Sequence, residues 1–193
     1  MSEKELSKEE SLALISDMIS QAKRNVARGG SFYFLLWGWV VLFANLGHYV
    51  IEKFELFEHP YIVWLITIPA AIASMMKGSK SSRDAKVKSH LDGIYGLIWL
   101  AVSIGIVITL VFMKQVNFNV NAIILTLAAT GTFISGSMLR FRPLVMGAVA
   151  LWLASIVAYN MSVTDQYLVG AVGILAGYLV PGYLLKKAEN ERI

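Results

Sequence analysis

The chain has 193 residues, 17 Lys and Arg against 13 Asp and Glu, a net charge of +4 and a 56% hydrophobic composition without cysteine. The lack of cysteine excludes a disulfide framework, a thiolate nucleophile and a Cys-ligated metal. The basic residues flank apolar runs instead of forming an aromatic-interleaved patch on a polar domain, so nucleic acid is excluded as a partner.

Residues 7–26 read as an amphipathic helix outside the bilayer. Ser7 followed by Glu10 is a capping box, in which hydroxyl and carboxylate each satisfy a free amide of the first turn. Leu12, Ile15, Met18, Ile19, Ala22 and Val26 then recur at three- and four-residue steps as one apolar stripe. Gly29 and Gly30 end the helix, because glycine tolerates a left-handed C-cap. Two readings fit the stripe. It rests on the inner leaflet, with Lys23, Arg24 and Arg28 toward lipid phosphates. Or it is a docking face for a cytoplasmic partner or for a second copy.

Six apolar runs follow, at 31–51, 61–76, 93–113, 121–139, 144–159 and 167–185. A helix needs roughly 20 apolar residues to cross the hydrocarbon core. The second and fifth runs fall short of that, so ragged ends or a thinned bilayer are expected there. The predicted fold is all-α: a six-span membrane bundle over 31–185, an interfacial helix within 1–30 and a tail over 186–193. No signal peptide precedes the first span, which is expected to act as its own insertion signal.

Charge orients the bundle. Fifteen of the seventeen basic residues lie in the N-terminal segment, the second-to-third joint, the fourth-to-fifth joint and the tail. Lys53 and Lys114 alone fall on the other side. Basic residues are retained in the cytoplasm during insertion, so both termini are expected there. The loop carrying Lys77, Lys80, Arg83, Lys86 and Lys88 is expected to lie against anionic headgroups.

Polar groups inside spans are candidate functional residues. Asn45 and His48 lie three apart in span one and share a helix face. A carboxamide in hydrocarbon needs a partner from a neighbouring helix or a wet cavity. Glu52, Glu55, Glu58 and His59 follow; they read as a solvated acidic loop, because their spacing matches no metal-ligand signature. Asp92, at the start of span three, reads as a residue favoured by the helix dipole and not as a coupling-ion carboxylate. Pro69 interrupts the short second span, where a kink is expected, and Thr67 and Ser74 are placed to re-satisfy the freed backbone. Asn45, His48, Thr67 and Pro69 are therefore the candidate lining of a ligand site between spans one and two. Gly177, Pro181 and Gly182 mark a second weak point in span six. Small residues at Gly170, Gly173 and Gly177, at Ala128, Thr132 and Gly136, and at Ala150, Ala154 and Ala158 predict close helix contacts.

The run from Ser11 to Lys23, followed by Phe34-Leu35-Leu36-Trp37-Gly38-Trp39, resembles the opening of a family of small, uncharacterised six-span bacterial membrane proteins. The resemblance implies a bacterial inner (cytoplasmic) membrane and supplies no activity, cofactor or site residue.

No catalytic, cofactor-binding or metal-binding residues are assigned, and no acid–base pair occurs at membrane depth, so an enzyme is not expected. The expected function is a non-enzymatic membrane scaffold or sensor with cytoplasmic docking surfaces. Its partners would be the lipid bilayer and a cytoplasmic protein or a homo-oligomer. The alternative is a small-solute or lipid transporter with a site near spans one and two.

Overall fold

The computed structural model describes residues 29–84 and 90–191, with side chains over 29–80 and 93–191. The amphipathic helix read at 7–26 and the side chain of Asp92 lie outside the described residues. Every described element is helical, as a bilayer demands, since lipid offers no partner to a free backbone amide or carbonyl.

Helix α1 (Gly30–Lys53) is span one. A 3-10 segment (Pro60–Ile66) runs directly into α2 (Thr67–Asp84), and together they make span two. Helix α3 (His90–Val111) is span three, α4 (Val120–Met138) span four and α5 (Arg142–Tyr159) span five. Span six is α6 (Val163–Ile174), a π-helical turn (Leu175–Leu179) and α7 (Val180–Asn190) in one continuous rod. All six are long and apolar enough to cross a membrane, and the chain is a multi-pass membrane protein.

Span two corrects the expected shortfall. It covers Pro60–Lys80, 21 residues, because the first turn and the lysine-bearing last turns are helical too. The 3-10 stretch also rises more per residue than an α-helix, which adds reach. The kink expected at Pro69 takes another form. Pro69 is the third residue of α2, so its missing amide falls in a first turn, and the irregularity precedes it as the 3-10 segment. In span six the irregularity falls where Gly177 and Pro181 suggested it, as the π turn.

The spans are not equal in burial. In spans one, four, five and six, 33–56% of the apolar window is buried, against 6% in span two and 11% in span three. The molecule is therefore a four-span core with two peripheral spans. Helix α4 pairs most extensively with α5, α1 packs on span six, and α5 packs on α6 and the π turn. The 3-10 segment and α2 lie against α1, and α3 lies chiefly against α4. Phe34, Leu125, Leu144, Leu151, Ile174 and Leu179 fill the core.

Lipid tails are as apolar as leucine, so close approach and polar contacts must hold these helices together. The glycines supply the approach. A β-carbon on Gly147 would lie 2.6 Å from the carbonyl oxygen of Gly177, and one on Gly177 would lie 2.7 Å from that of Gly147. Spans five and six thus meet backbone to backbone, within one chain. Polar contacts add to this: Ser155 donates to the Ala122 carbonyl across 2.8 Å and its hydroxyl pairs with Thr126 across 2.7 Å.

The two ends differ in charge. One end carries exposed Lys77, Lys80, Arg140, Arg142, Lys186 and Lys187, and the opposite end carries exposed Lys53 and Lys114. The first turn of α1 and the last turn of α7 meet at the basic end. There the Glu189 carboxylate accepts from the Ser31 amide (3.0 Å) and from the Ser31 hydroxyl. An acceptor carboxylate suits a helix N-terminus, whose first amides lack partners and whose dipole is positive. Gly29, just before α1, has φ +87, which only glycine takes without strain.

Candidate functional site

One group of buried polar residues, Asn45, His48, Asn121 and Gln166, lies toward the end opposite the basic one. Asn45 is 1% exposed and faces the bundle interior. Its amide donates to the Val41 carbonyl four residues back (2.8 Å), and its oxygen accepts from Asn121 of α4 (2.7 Å). Asn121 sends its second proton to the backbone carbonyl of Gln166 in α6 (2.9 Å). Gln166, also 1% exposed, donates to the side chain of Asn119 (2.7 Å). One chain of amides thus joins α1, α4 and α6. Gly170 makes room for it: a β-carbon there would stand 2.8 Å from the amide atoms of both Asn45 and Asn121.

His48 lies one turn beyond Asn45, on the same face of α1. Its ring stacks on Tyr167 of α6, centroids 3.8 Å apart and planes 17° apart. The Trp64 indole of span two donates to Nδ1 of His48 across 2.9 Å. Because Nδ1 accepts, the neutral ring carries its proton on Nε2. That nitrogen faces the Glu52 carboxylate at 3.4 Å. Beside this cluster Lys53 and Asp165 pair across 3.7 Å, and Ser162 caps α6 by accepting from the Asp165 amide at 3.2 Å.

The four residues singled out in sequence separate into two pairs. Asn45 and His48 are buried together and partnered. Thr67 returns its hydroxyl proton to the Trp64 carbonyl (2.6 Å), and Pro69 is exposed on the outer face of span two. Ser74 serves tertiary packing by accepting from the Trp37 indole across 3.0 Å. Among the described residues, no three His, Cys, Asp or Glu side chains converge as a metal cage. His59 is exposed and lies against Tyr61.

Sequence reasoning missed Asn121 and Gln166, which complete the Asn45 contact. Both sit in the first turn of a span, where an amide reads as an interfacial residue. The one available signal was Asn45 itself, which required a partner of its own kind from another helix.

Chemically, the site is a set of neutral amides that bond one another, with a His–Glu pair at its outer edge. Such an arrangement fixes the registration of α1, α4 and α6, and Trp64 fastens span two to them. No protein-family model, curated protein or solved structure matches the chain.

Proposed function

We propose that the chain is a non-enzymatic scaffold or sensor of a bacterial inner membrane, with both termini in the cytoplasm and its docking surface at the basic end. The observation that carries this reading is the grouping of Lys77, Lys80, Arg140, Arg142, Lys186 and Lys187, all exposed, at one end of the bundle. Such an excess marks the cytoplasmic side of a multi-pass protein. It also suits an acidic partner surface or the anionic leaflet. The resemblance of the first fifty residues to small bacterial six-span proteins supports the compartment.

The interior polarity supports the same reading. Asn45, Asn121 and Gln166 bond one another, and Pro69 and Thr67 face elsewhere. A transporter for small solutes or lipids would use such groups to line a path; here they close a contact between helices.

A photo-cross-linking residue in place of Lys80 or Lys187 tests the reading in intact cells, with Lys114 as the control position. A discrete protein adduct from the basic end alone, lost on charge reversal at Lys77, Lys80, Lys186 and Lys187, is the expected result. Adducts from both ends alike, or solute flux in proteoliposomes that Asn45→Leu abolishes, would overturn it.

A further inference from the structure

Span two is the least buried of the six, and its 3-10 segment has no buried residue. Among the described residues, two side-chain hydrogen bonds fasten it to α1, one toward each end. Nearer the basic end, the Trp37 indole donates to Ser74 across 3.0 Å. Nearer the opposite end, the Trp64 indole donates to Nδ1 of His48 across 2.9 Å. Val63 packs beside that second bond against Gly47, where a β-carbon would come 3.3 Å from the valine Cγ1.

The bond from Trp64 holds only while His48 is neutral. An indole N–H donates and cannot accept, so the ring nitrogen that meets it must carry no proton. A charged imidazole carries a proton on both nitrogens, and two donors would then face each other. The other surroundings of the ring suit its charged form. Glu52 Oε2, 3.4 Å from Nε2, is buried without a hydrogen-bond partner among the described residues. Native proteins seldom leave a buried acceptor so, and an imidazolium would draw it into a charge-assisted bond. Tyr167, stacked on the ring at 3.8 Å, offers its π face to a cation. The Glu52 side chain is 34% exposed, so water at that end reaches the pair.

The other titratable or charged groups around the ring are few. Lys53 of α1 and Asp165 of α6 pair with each other across 3.7 Å. Tyr61 of the 3-10 segment is exposed, as are Glu55, Glu58 and His59 of the joint. Glu52 is the group that stands at a ring nitrogen.

We propose that His48 is a proton-operated latch: uptake of one proton at Nδ1, from water at the end opposite the basic one, releases Trp64 and the adjoining half of span two. Trp64 covers Nδ1, so the proton adds only as the indole withdraws, and the Nε2 proton stays toward Glu52. Histidine ordinarily titrates between about pH 5 and pH 8, which is where the latch works. The contact is complete at the alkaline end of that range and is lost as pH falls. The bond from Trp37 to Ser74 remains, so span two pivots about it. Lys77 and Lys80 ride on the far arm. Their movement matters to function only if the basic end is the docking surface; the latch itself does not rest on that reading.

Distances between two spin labels on the full chain in nanodiscs test the latch. The chain has no cysteine, so Ile62→Cys on span two and Asn160→Cys after α5, both exposed, give one labelled pair across that end. One distance should dominate at about pH 8. A longer one should gain population about tenfold by about pH 5, the equivalent of one buried hydrogen bond lost. His48→Gln keeps a neutral acceptor and should hold the shorter distance at both pH values. Trp64→Phe lacks the donor and should show the longer distance at both. A distance that does not move with pH in the labelled parent, or movement that survives His48→Gln, would overturn the proposal. Should His48→Gln fail to fold, Trp64→Phe decides alone, and a parental pH response in it would overturn the proposal equally. Cross-linking from Lys80 and Lys187 reads the docking surface separately, so either idea can fail without the other.

Discussion

Asn121 reaches from the first turn of α4 to the side-chain oxygen of Asn45 in α1, 2.7 Å away, and spends its other amide proton on the Gln166 carbonyl of α6. One carboxamide therefore ties three spans that are far apart in sequence. In lipid, interhelical hydrogen bonds average about 0.6 kcal/mol by mutant cycles, with a maximum near 1.7. Removing only one partner adds the cost of the stranded group, about 1–3 kcal/mol. Asn45→Leu should thus be tolerated for insertion and destabilise by about 1.5–3.5 kcal/mol. The double variant with Asn121→Leu should cost less than the two singles together, by about 0.5–1.5 kcal/mol. A double-mutant cycle from unfolding in mixed micelles measures this, and strict additivity would dissolve the proposed tie.

The close approach of spans five and six should be the least forgiving contact in the bundle. A methyl at Gly177 would press on the Gly147 carbonyl oxygen at 2.7 Å, and backbone cannot step aside as a side chain can. Gly177→Ala should destabilise by about 1–3 kcal/mol, the usual cost of overpacking. Gly96→Ala, with nothing within 4 Å, should change stability by less than about 0.5 kcal/mol. The same micellar unfolding assay ranks the two; equal effects would contradict the backbone contact.

Glu189 acts as a cap supplied from the far end of the chain. Glu189→Ala leaves the Ser31 amide and its hydroxyl without their acceptor. Loss of an N-cap acceptor costs about 0.5–2 kcal/mol. The first turn of α1 should then fray, and hydrogen exchange at Ser31 should quicken by roughly 2- to 30-fold. Exchange at Leu46, deep in the same helix, should not move. An unchanged Ser31 rate would show that the carboxylate contributes nothing to that turn.

Orientation has its own test. Reporter fusions at Met1 and Ile193 should both give the cytoplasmic signal, as the basic residues dictate. A periplasmic signal from either end would reverse the docking surface assigned to Lys77, Lys80 and Lys187.

The sequence was a good guide to spans and a poor one to partners, for one reason. Hydropathy sums over a whole helix, so all six spans were legible. Contacts between helices depend on which face each residue presents. The glycine stripes narrowed the choice, and Gly170, Gly173 and Gly177 all proved buried. Yet Asn121 and Gln166 carried no signal of their own, because an amide in the first turn of a span suits the interface as well as a buried contact. The division into a four-span core and two peripheral spans was not legible, since Ile72 and Leu100, both exposed, are as apolar as Leu151 in the core. In lipid an outward face and an inward face have the same composition, and only geometry tells them apart.

The π turn at Leu175–Leu179 also sets a rotational phase. A π turn carries one residue more than the α-helix around it, and each residue turns a helix by about 100°. Upstream of it, Gly170 and Gly173 face the core; within it Tyr178 reaches Phe34, and downstream Glu189 reaches Ser31. Deleting a single residue there would restore a regular helix without shortening the span appreciably. Winding the same residues as regular α-helix instead, with none deleted, would swing everything beyond the turn by roughly a quarter turn. Glu189 would then leave the first turn of α1, and the beginning and end of the bundle would part.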